Sequence, residues 1–299
     1  VWTLHDCWPL TGHCAGFDMC GCKKWKTGCF NCEQLGTYPA SKGLDNSKWN
    51  WNKKKALFSN LNLIIVTPSQ WLRDNVMKSY LRDYRCEVIN NGIDLNIFKS
   101  ADKCEMKKAQ KKYNLDARKI VLGVASEWTP KKGLFDFIKL SEMMQDIQFV
   151  VVGLTERQIK EMPQNIKGIK RTENQRELAA LYTIADVFFN PTYEDNFPTT
   201  NLEALACGTP VITYDTGGSP ESLDVKEKNL SISIGEVIEK TSPASVSYET
   251  VKARIYSFLK KNKNDIQSQV CRNAAMEYSA KKQFEKYIEL YGELIRKES

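Results

Sequence analysis

Residues 190–221 read NPTYEDNFPTTNLEALACGTPVITYDTGGSPE, and the reading of the whole chain turns on this stretch. The run just before it, Asp186-Val187-Phe188-Phe189, is short and apolar and predicts a buried strand. Two carboxylates follow, Glu194 and Asp195, and then Asn196, Phe197, Pro198, Thr199 and Thr200. A helix begins there and carries Glu203 about one turn inside it; Pro210-Val211-Ile212-Thr213 is the next strand. Strand, helix and strand at this spacing predict a parallel βαβ unit. The start of the helix offers unpaired N–H groups and a positive dipole end, a setting for phosphate. Asp195 in the loop and Glu203 in the helix then add acceptors for sugar hydroxyls, a combination suited to a nucleotide diphosphate sugar. The competing reading is an ordinary α/β loop with solvated carboxylates.

The alternation extends outward from this block. Ile120–Val124 and Phe149–Gly153 read as strands, and Leu134–Met144 and Glu177–Ile184 as helices. The pattern predicts a parallel sheet covered on both faces, with ligands at the carboxyl ends of the strands. Upstream, Leu63–Thr67 and Cys86–Asn90 read as strands, and Ser69 as the cap of a helix through Trp71, Leu72, Val76 and Met77. The polar stretch Asp94–Arg118 is read as the segment holding a domain linker. From Thr250 onward the pattern is helical, and Phe284, Tyr287, Ile288, Tyr291, Leu294 and Ile295 form one apolar face.

The block at 190–221 resembles the retaining glycosyltransferase family 4, whose members have the GT-B fold. The family pattern is a carboxylate, seven residues, Glu, then Ala and Gly-x-Pro-Val-Ile, matched here by Asp195, Glu203, Ala204, Gly208, Thr209, Pro210, Val211 and Ile212. Phe197, Gly217-Gly218 and Pro220-Glu221 continue the match. Asp195 stands where the family has Glu, and the adjacent Glu194 is the alternative for that role. VINNGIDLNIF at Val88–Phe98 resembles the family's interdomain segment, and Lys132-Gly133 its phosphate-binding pair. The Arg that many members carry shortly before that pair is replaced by Ser126, Glu127 and Trp128, leaving Lys131 as its substitute or as part of a solvated helix start. His5-Asp6, after an opening strand, resembles the family's histidine that faces the transferred sugar; His13 keeps a structural reading.

The resemblance implies an α/β protein of two Rossmann-like domains with parallel sheets. The expected organisation is a partial N-terminal domain at 1–100 with a Cys-rich insertion at 7–32. A nucleotide-sugar domain at 101–274 follows, and then a helix at 275–299 that packs back towards the N-terminal domain. It also implies transfer of a sugar, with retention, from a nucleotide diphosphate donor to a glycan or lipid-linked acceptor in polysaccharide biosynthesis, as in bacterial colanic-acid-type enzymes. Lys131, Lys132 and the helix start would stabilise the leaving diphosphate. Glu203 would hold the ribose, Asp195 the sugar hydroxyls, and His5 would position the sugar; Glu194, Asn196, Phe197, Pro198, Thr199 and Thr200 complete the donor set. No metal is expected in catalysis. The rivals are a GT-B sugar-nucleotide epimerase and a non-enzymatic nucleotide-sugar or partner-binding module.

The chain opens Val1-Trp2-Thr3-Leu4, a strand in progress with neither Met nor a charged leader. The reading is therefore an N-terminal domain lacking roughly 100 residues, and a fragment inactive by itself. Composition is that of a globular chain: 299 residues, 42% apolar, 26% charged, with a formal charge of +7. That charge suits an anionic donor and is too diffuse for nucleic acid. No apolar run reaches the ~18 residues of a membrane span. The expected location is cytoplasmic, with peripheral attachment at the inner face of the cell membrane left open. Trp49, Trp51 and Lys53-Lys54-Lys55 form either a surface or acceptor patch or a solvated helix start.

Six of the ten cysteines lie between Cys7 and Cys32. Cys14, Cys22, Cys29 and Cys32 are separated by seven, six and two residues, and Cys29-Phe-Asn-Cys32 is half of a zinc-site pattern. A structural zinc, reduced thiols and disulfides are the three readings, and with four thiolates any zinc would be structural.

Overall fold

Ile147–Val152, Val187–Asn190 and Val211–Tyr214 are buried at every position, and these runs form the centre of the larger of two compact units. The computed structural model describes residues 1–224, 233–261 and 263–298. One unit comprises Val1–Asn90, Glu194–Phe197 and Thr216–Glu221; the other comprises Asn91–Tyr193, Pro198–Asp215 and Ser222–Ser299.

The smaller unit contains β1 (Trp2–Thr3), α1 (Ser47–Phe58), β2 (Ile65–Thr67), α2 (Gln70–Val76) and β3 (Cys86–Val88). The strands pair in the parallel order β1-β2-β3, with Trp2 opposite Ile65 and Ile65 opposite Cys86. Ser69 caps α2 as expected, accepting from the N–H of Leu72. The long Cys-rich loop after β1 has only two short 3-10 turns, yet its Leu10, Phe17 and Trp25 enter the core beside Ile65 and Leu72. Phe17 and Trp25 stack at 4.6 Å. Helix α1 pins this loop. Its Lys54 donates Nζ to the carbonyls of Trp8 and Thr11 (2.7 and 3.0 Å), and its Trp51 donates Nε1 to Trp25 (2.9 Å). Both side chains are buried, so of the expected surface patch Trp49 is exposed while Trp51 and Lys54 serve packing.

The larger unit contains α3 (Lys103–Tyr113), β4 (Lys119–Val124), α4 (Leu134–Met143), β5 (Ile147–Val152), α5 (Glu156–Glu161), β6 (Ile166–Ile169) and α6 (Gln175–Ile184). It continues with β7 (Val187–Asn190), α7 (Thr199–Ala206), β8 (Val211–Tyr214), β9 (Gly235–Ile238), α8 (Tyr248–Lys260), α9 (Asp265–Met276) and α10 (Ala280–Glu298). All six strands are parallel, in the order β6-β5-β4-β7-β8-β9. Counted within the unit this is 3-2-1-4-5-6, the order of a dinucleotide-binding sheet, which reverses between its first and fourth strands. The apolar strand runs follow from that topology, because helices cover both faces.

Sequence periodicity missed α3, α5, β6 and β9. Helix α3 buries only Ala109, so it has almost no apolar stripe to detect, and it falls inside the segment read as a linker. Its readable signal is the capping box, in which Asp102 accepts from the N–H of Glu105 and Glu105 accepts from the N–H of Asp102. The apolar face expected on α10 is exposed at Phe284, Ile288, Tyr291 and Ile295, while Leu290 of the same helix is buried.

Candidate active site

In the larger unit the sheet order reverses between β4 and β7, and the loops leaving these two strands are joined there. The N–H of Tyr193 donates to the carbonyl of Lys131 (2.8 Å), and the hydroxyl of Thr192 reaches the same oxygen (3.4 Å). Lys131 and Lys132 sit in a 3-10 turn, Pro130–Lys132, that ends at Gly133. Gly133 has φ +73°, and a Cβ there would lie 2.2 Å from the carbonyl oxygen of Pro191. The turn that presents both lysines therefore requires glycine.

Asp136 backs this junction. It is 2% exposed, and its Oδ1 accepts from the hydroxyls of Tyr193 (3.2 Å) and Tyr248 (2.6 Å). Burial pushes its pKa up, and the tyrosine hydrogen bonds oppose that shift.

A cavity of about 460 Å³ opens at the carboxyl ends of β4, β5 and β6. Val124, Ala125 and Ser126, Val152 and Gly153, and residues 170–175 with Leu178 line it. The site is concave, set at strand ends, and mixes apolar walls with Lys170, Arg171 and Glu173. Sequence reading passed over this rim, because β6 is short and the polar segment after it has no periodicity.

Helix α7 begins at Thr199, as expected, with Pro198 before it and no side chain capping it. Thr199 and Thr200 are half-buried in its first turn. Glu203 faces α6, where Oε2 accepts from the hydroxyl of Tyr182 (3.0 Å). Burial pushes its pKa up to about 7, with the Tyr182 hydrogen bond pulling the other way. It is not among the residues lining the 460 Å³ cavity.

The remaining candidates lie in the smaller unit. His5 is exposed just beyond β1, and its carbonyl accepts from Asn196 Nδ2 (2.7 Å). The Cys7 thiol contacts Asn196 Oδ1 (3.8 Å). Glu194 packs its carboxylate on Gly16, where a Cβ would lie 2.0 Å from Oε1. Asp195 accepts from Phe197 N through its side chain (3.2 Å) and from Gly218 N through its carbonyl (3.2 Å). Gly217, with φ +56°, donates its N–H to Asp18 Oδ2 (3.1 Å) and passes so close to Asp195 that a Cβ would meet its carbonyl oxygen at 1.8 Å. Glu221 accepts from the N–H groups of Gln70 and Trp71 at the start of α2, both at 2.7 Å. Asp18 and Asp136 were not singled out from sequence, since each acts through a partner distant along the chain, and Glu221 was read only as part of the family match.

Cys14, Cys20, Cys22, Cys29 and Cys32 line one small cavity with His13. All are free thiols, and among the described residues no group of three His, Cys, Asp or Glu side chains is arranged to hold a metal ion as it stands.

The profile of the family described as Glycosyl transferases group 1 matches residues 105–275. A protein of Escherichia coli (strain K12) named as a colanic acid biosynthesis glycosyl transferase, WcaC, is 27% identical over 300 residues, covering 98% of this chain and 68% of its own length. Other curated relatives match over shorter stretches, and the chain spans 33% to 55% of their length. Among solved structures, a glycosyltransferase from Rickettsia africae ESF-5 superposes with a TM-score of 0.69 at 18% identity, over 88% of this chain and 79% of that one. Anabaena Alr3699/HepE in complex with UDP-glucose superposes with a TM-score of 0.63 at 16% identity, over 82% of this chain and 68% of that one.

Proposed function

Because the chain belongs to the glycosyl transferases group 1 family and has the α/β, parallel-sheet architecture of GT-B proteins, we propose that it binds a nucleotide diphosphate sugar and transfers the sugar, with retention, to a glycan or lipid-linked acceptor in polysaccharide biosynthesis. The observation that carries this reading is the junction at the reversal of the larger sheet. Two loops locked together by the Tyr193–Lys131 hydrogen bond present Lys131 and Lys132, and a 460 Å³ cavity lies at the ends of the adjoining strands.

In this reading the nucleoside takes the cavity. Lys131, Lys132 and the uncapped start of α7 receive the diphosphate and stabilise the negative charge that grows on it as the glycosidic bond breaks. Glu203 is assigned to the ribose; Asp195, with Glu194 beside it, to the sugar hydroxyls; His5 to positioning the sugar; and Asn196, Phe197, Pro198, Thr199 and Thr200 to shaping the donor loop. Residues 1–100 are assigned to the acceptor side and 101–274 to the donor side. Charge stabilisation of the leaving group is supplied by these lysines and N–H groups, with no metal-dependent step. None of the described helices is long and apolar enough to cross a membrane. A cytoplasmic protein attached peripherally at the membrane face is consistent with a lipid-linked acceptor.

A thermal-shift panel of nucleoside diphosphates and their sugars tests the reading, since a ligand that binds the folded chain raises its melting temperature by mass action. The expected outcome is stabilisation by one nucleoside diphosphate and its sugar, followed by transfer from that donor to a polyprenyl-linked or glycan acceptor. No stabilisation by any of them would sink the proposal, and release of an epimerised free donor without acceptor would replace it with the epimerase reading.

A further inference from the structure

Five cysteines and a histidine within residues 13–32 line one small cavity. The Cys-rich loop that contains them has only two short 3-10 turns, and the cavity lies within it. Its free volume is about 20 Å³, enough for one water-sized or ion-sized occupant. His13 Nε2 is buried with no hydrogen-bond partner, which is costly in the absence of a group to receive it. The N–H of Gly12 donates to Cys29 Sγ at 3.2 Å, which fixes that sulfur on the cavity wall. Lys24 and Glu33 also line the cavity and pair with each other at 3.1 Å.

We propose that Cys14, Cys22, Cys29 and Cys32 bind one zinc ion as four thiolates, and that this ion is structural. The donor set is soft and four in number, which suits tetrahedral zinc and leaves no open position for catalysis. Cys20 is excluded because its sulfur is engaged elsewhere, donating to the Phe17 carbonyl (3.3 Å) and accepting from Gln34 Nε2 (3.2 Å). Cys14, Cys22, Cys29 and Cys32 line the same small cavity. Among the described residues the sulfurs are not drawn together as a ligand set, so binding would take the four thiol protons and draw the sulfurs together on the cavity they line. His13 Nε2 then gains a thiolate to donate to.

The ion would hold more than its own loop. Gly16, whose carbonyl accepts from Gln34 Nε2 (2.8 Å), packs on Glu194, and Asp18 bonds Gly217 (3.1 Å). A closed zinc site between Cys14 and Cys32 would fix the position of both contacts.

The test uses the whole chain purified under reducing conditions without chelator. Elemental analysis is expected to give one zinc per chain. Cobalt replacement is expected to give the intense visible bands of a tetrahedral site with thiolate-to-cobalt charge transfer. Cys22→Ser and Cys29→Ser are expected to lose the metal, whereas Cys20→Ser keeps it. Should the variants fail to fold, titrating the thiols of the unmutated chain with a mercurial settles the point, with one zinc released as four thiols react. Hydrogen exchange at 12–34, 194–197 and 216–221 is expected to accelerate on zinc removal. A folded chain that takes up no zinc after reconstitution, an octahedral cobalt spectrum, or loss of zinc on Cys20→Ser equal to that on Cys22→Ser would each overturn the assignment.

Discussion

The hydroxyl of Tyr182 on α6 donates to the carboxylate of Glu203 on α7 at 3.0 Å, and this bond ties a half-buried candidate carboxylate to the neighbouring helix. One neutral hydrogen bond does not replace the hydration that a charged carboxylate loses on burial. The acid therefore stays protonated to about pH 7, well above its usual 4.5.

The first prediction concerns stability against pH. Below pH 4.5 Glu203 is protonated in both the folded and the unfolded chain and costs nothing. As the pH rises through 7 the unfolded chain has already released the proton that the folded chain retains, so stability falls. Glu203→Gln keeps an acceptor for Tyr182 without the charge. Chemical denaturation is expected to show the variant equal to the parent near pH 4.5 and more stable above pH 7, by roughly 3 kcal/mol. An unchanged pH profile would remove Glu203 as the source.

Donor affinity distinguishes the carboxylates. Above pH 7, where its carboxylate is ionised, Glu203→Ala is expected to weaken nucleotide-sugar binding more than Glu194→Ala, by roughly 1.5 to 3 kcal/mol for a lost hydrogen bond to a charged acceptor. Calorimetry with the donor identified by thermal shift measures both constants. Equal losses would show that the ribose assignment of Glu203 is wrong.

Gly133→Ala probes the lysine turn. The residue adopts φ +73°, and the added methyl would meet the carbonyl oxygen of Pro191 at 2.2 Å. The substitution is expected to destabilise the chain by more than about 1 kcal/mol, and to weaken diphosphate binding by moving Lys131 and Lys132. A melting temperature and affinity equal to those of the parent would mean that the two loops separate freely.

Filling the cavity at the strand ends should block the nucleoside. Thr172 lines it and is half-buried. Thr172→Trp is expected to reduce nucleotide affinity at least tenfold, while stability moves by no more than about 0.5 kcal/mol, as for an ordinary surface change. Undiminished binding in isothermal titration would place the nucleoside elsewhere.

Asp136→Ala leaves the hydroxyls of Tyr193 and Tyr248 without their shared acceptor. The expected cost is about 1 to 3 kcal/mol per buried group left unpaired. A denaturation midpoint matching the parent's would show that the two tyrosines find other partners.

The strands at the centre of the larger unit were legible because a strand covered on both faces must be apolar at every position, and that property is local to the chain. The start of α7 at Thr199 and the cap at Ser69 were legible for the same reason, since each is decided within a few residues. The family pattern around Asp195 and Glu203 is likewise contiguous. Hydrophobic periodicity could not reveal α3 and β6, which have no apolar stripe of their own, although the capping box at Asp102 and Glu105 marks the start of α3. Nor could it assign 194–197 and 216–221 to the unit that contains the Cys-rich loop. Strand order, the Lys131–Tyr193 junction, the cavity rim at 170–178 and the Tyr182–Glu203 bond were decided by the tertiary structure alone. Each joins groups far apart along the chain, and such meetings follow from how crossover helices stack strands side by side, a choice that no local propensity encodes.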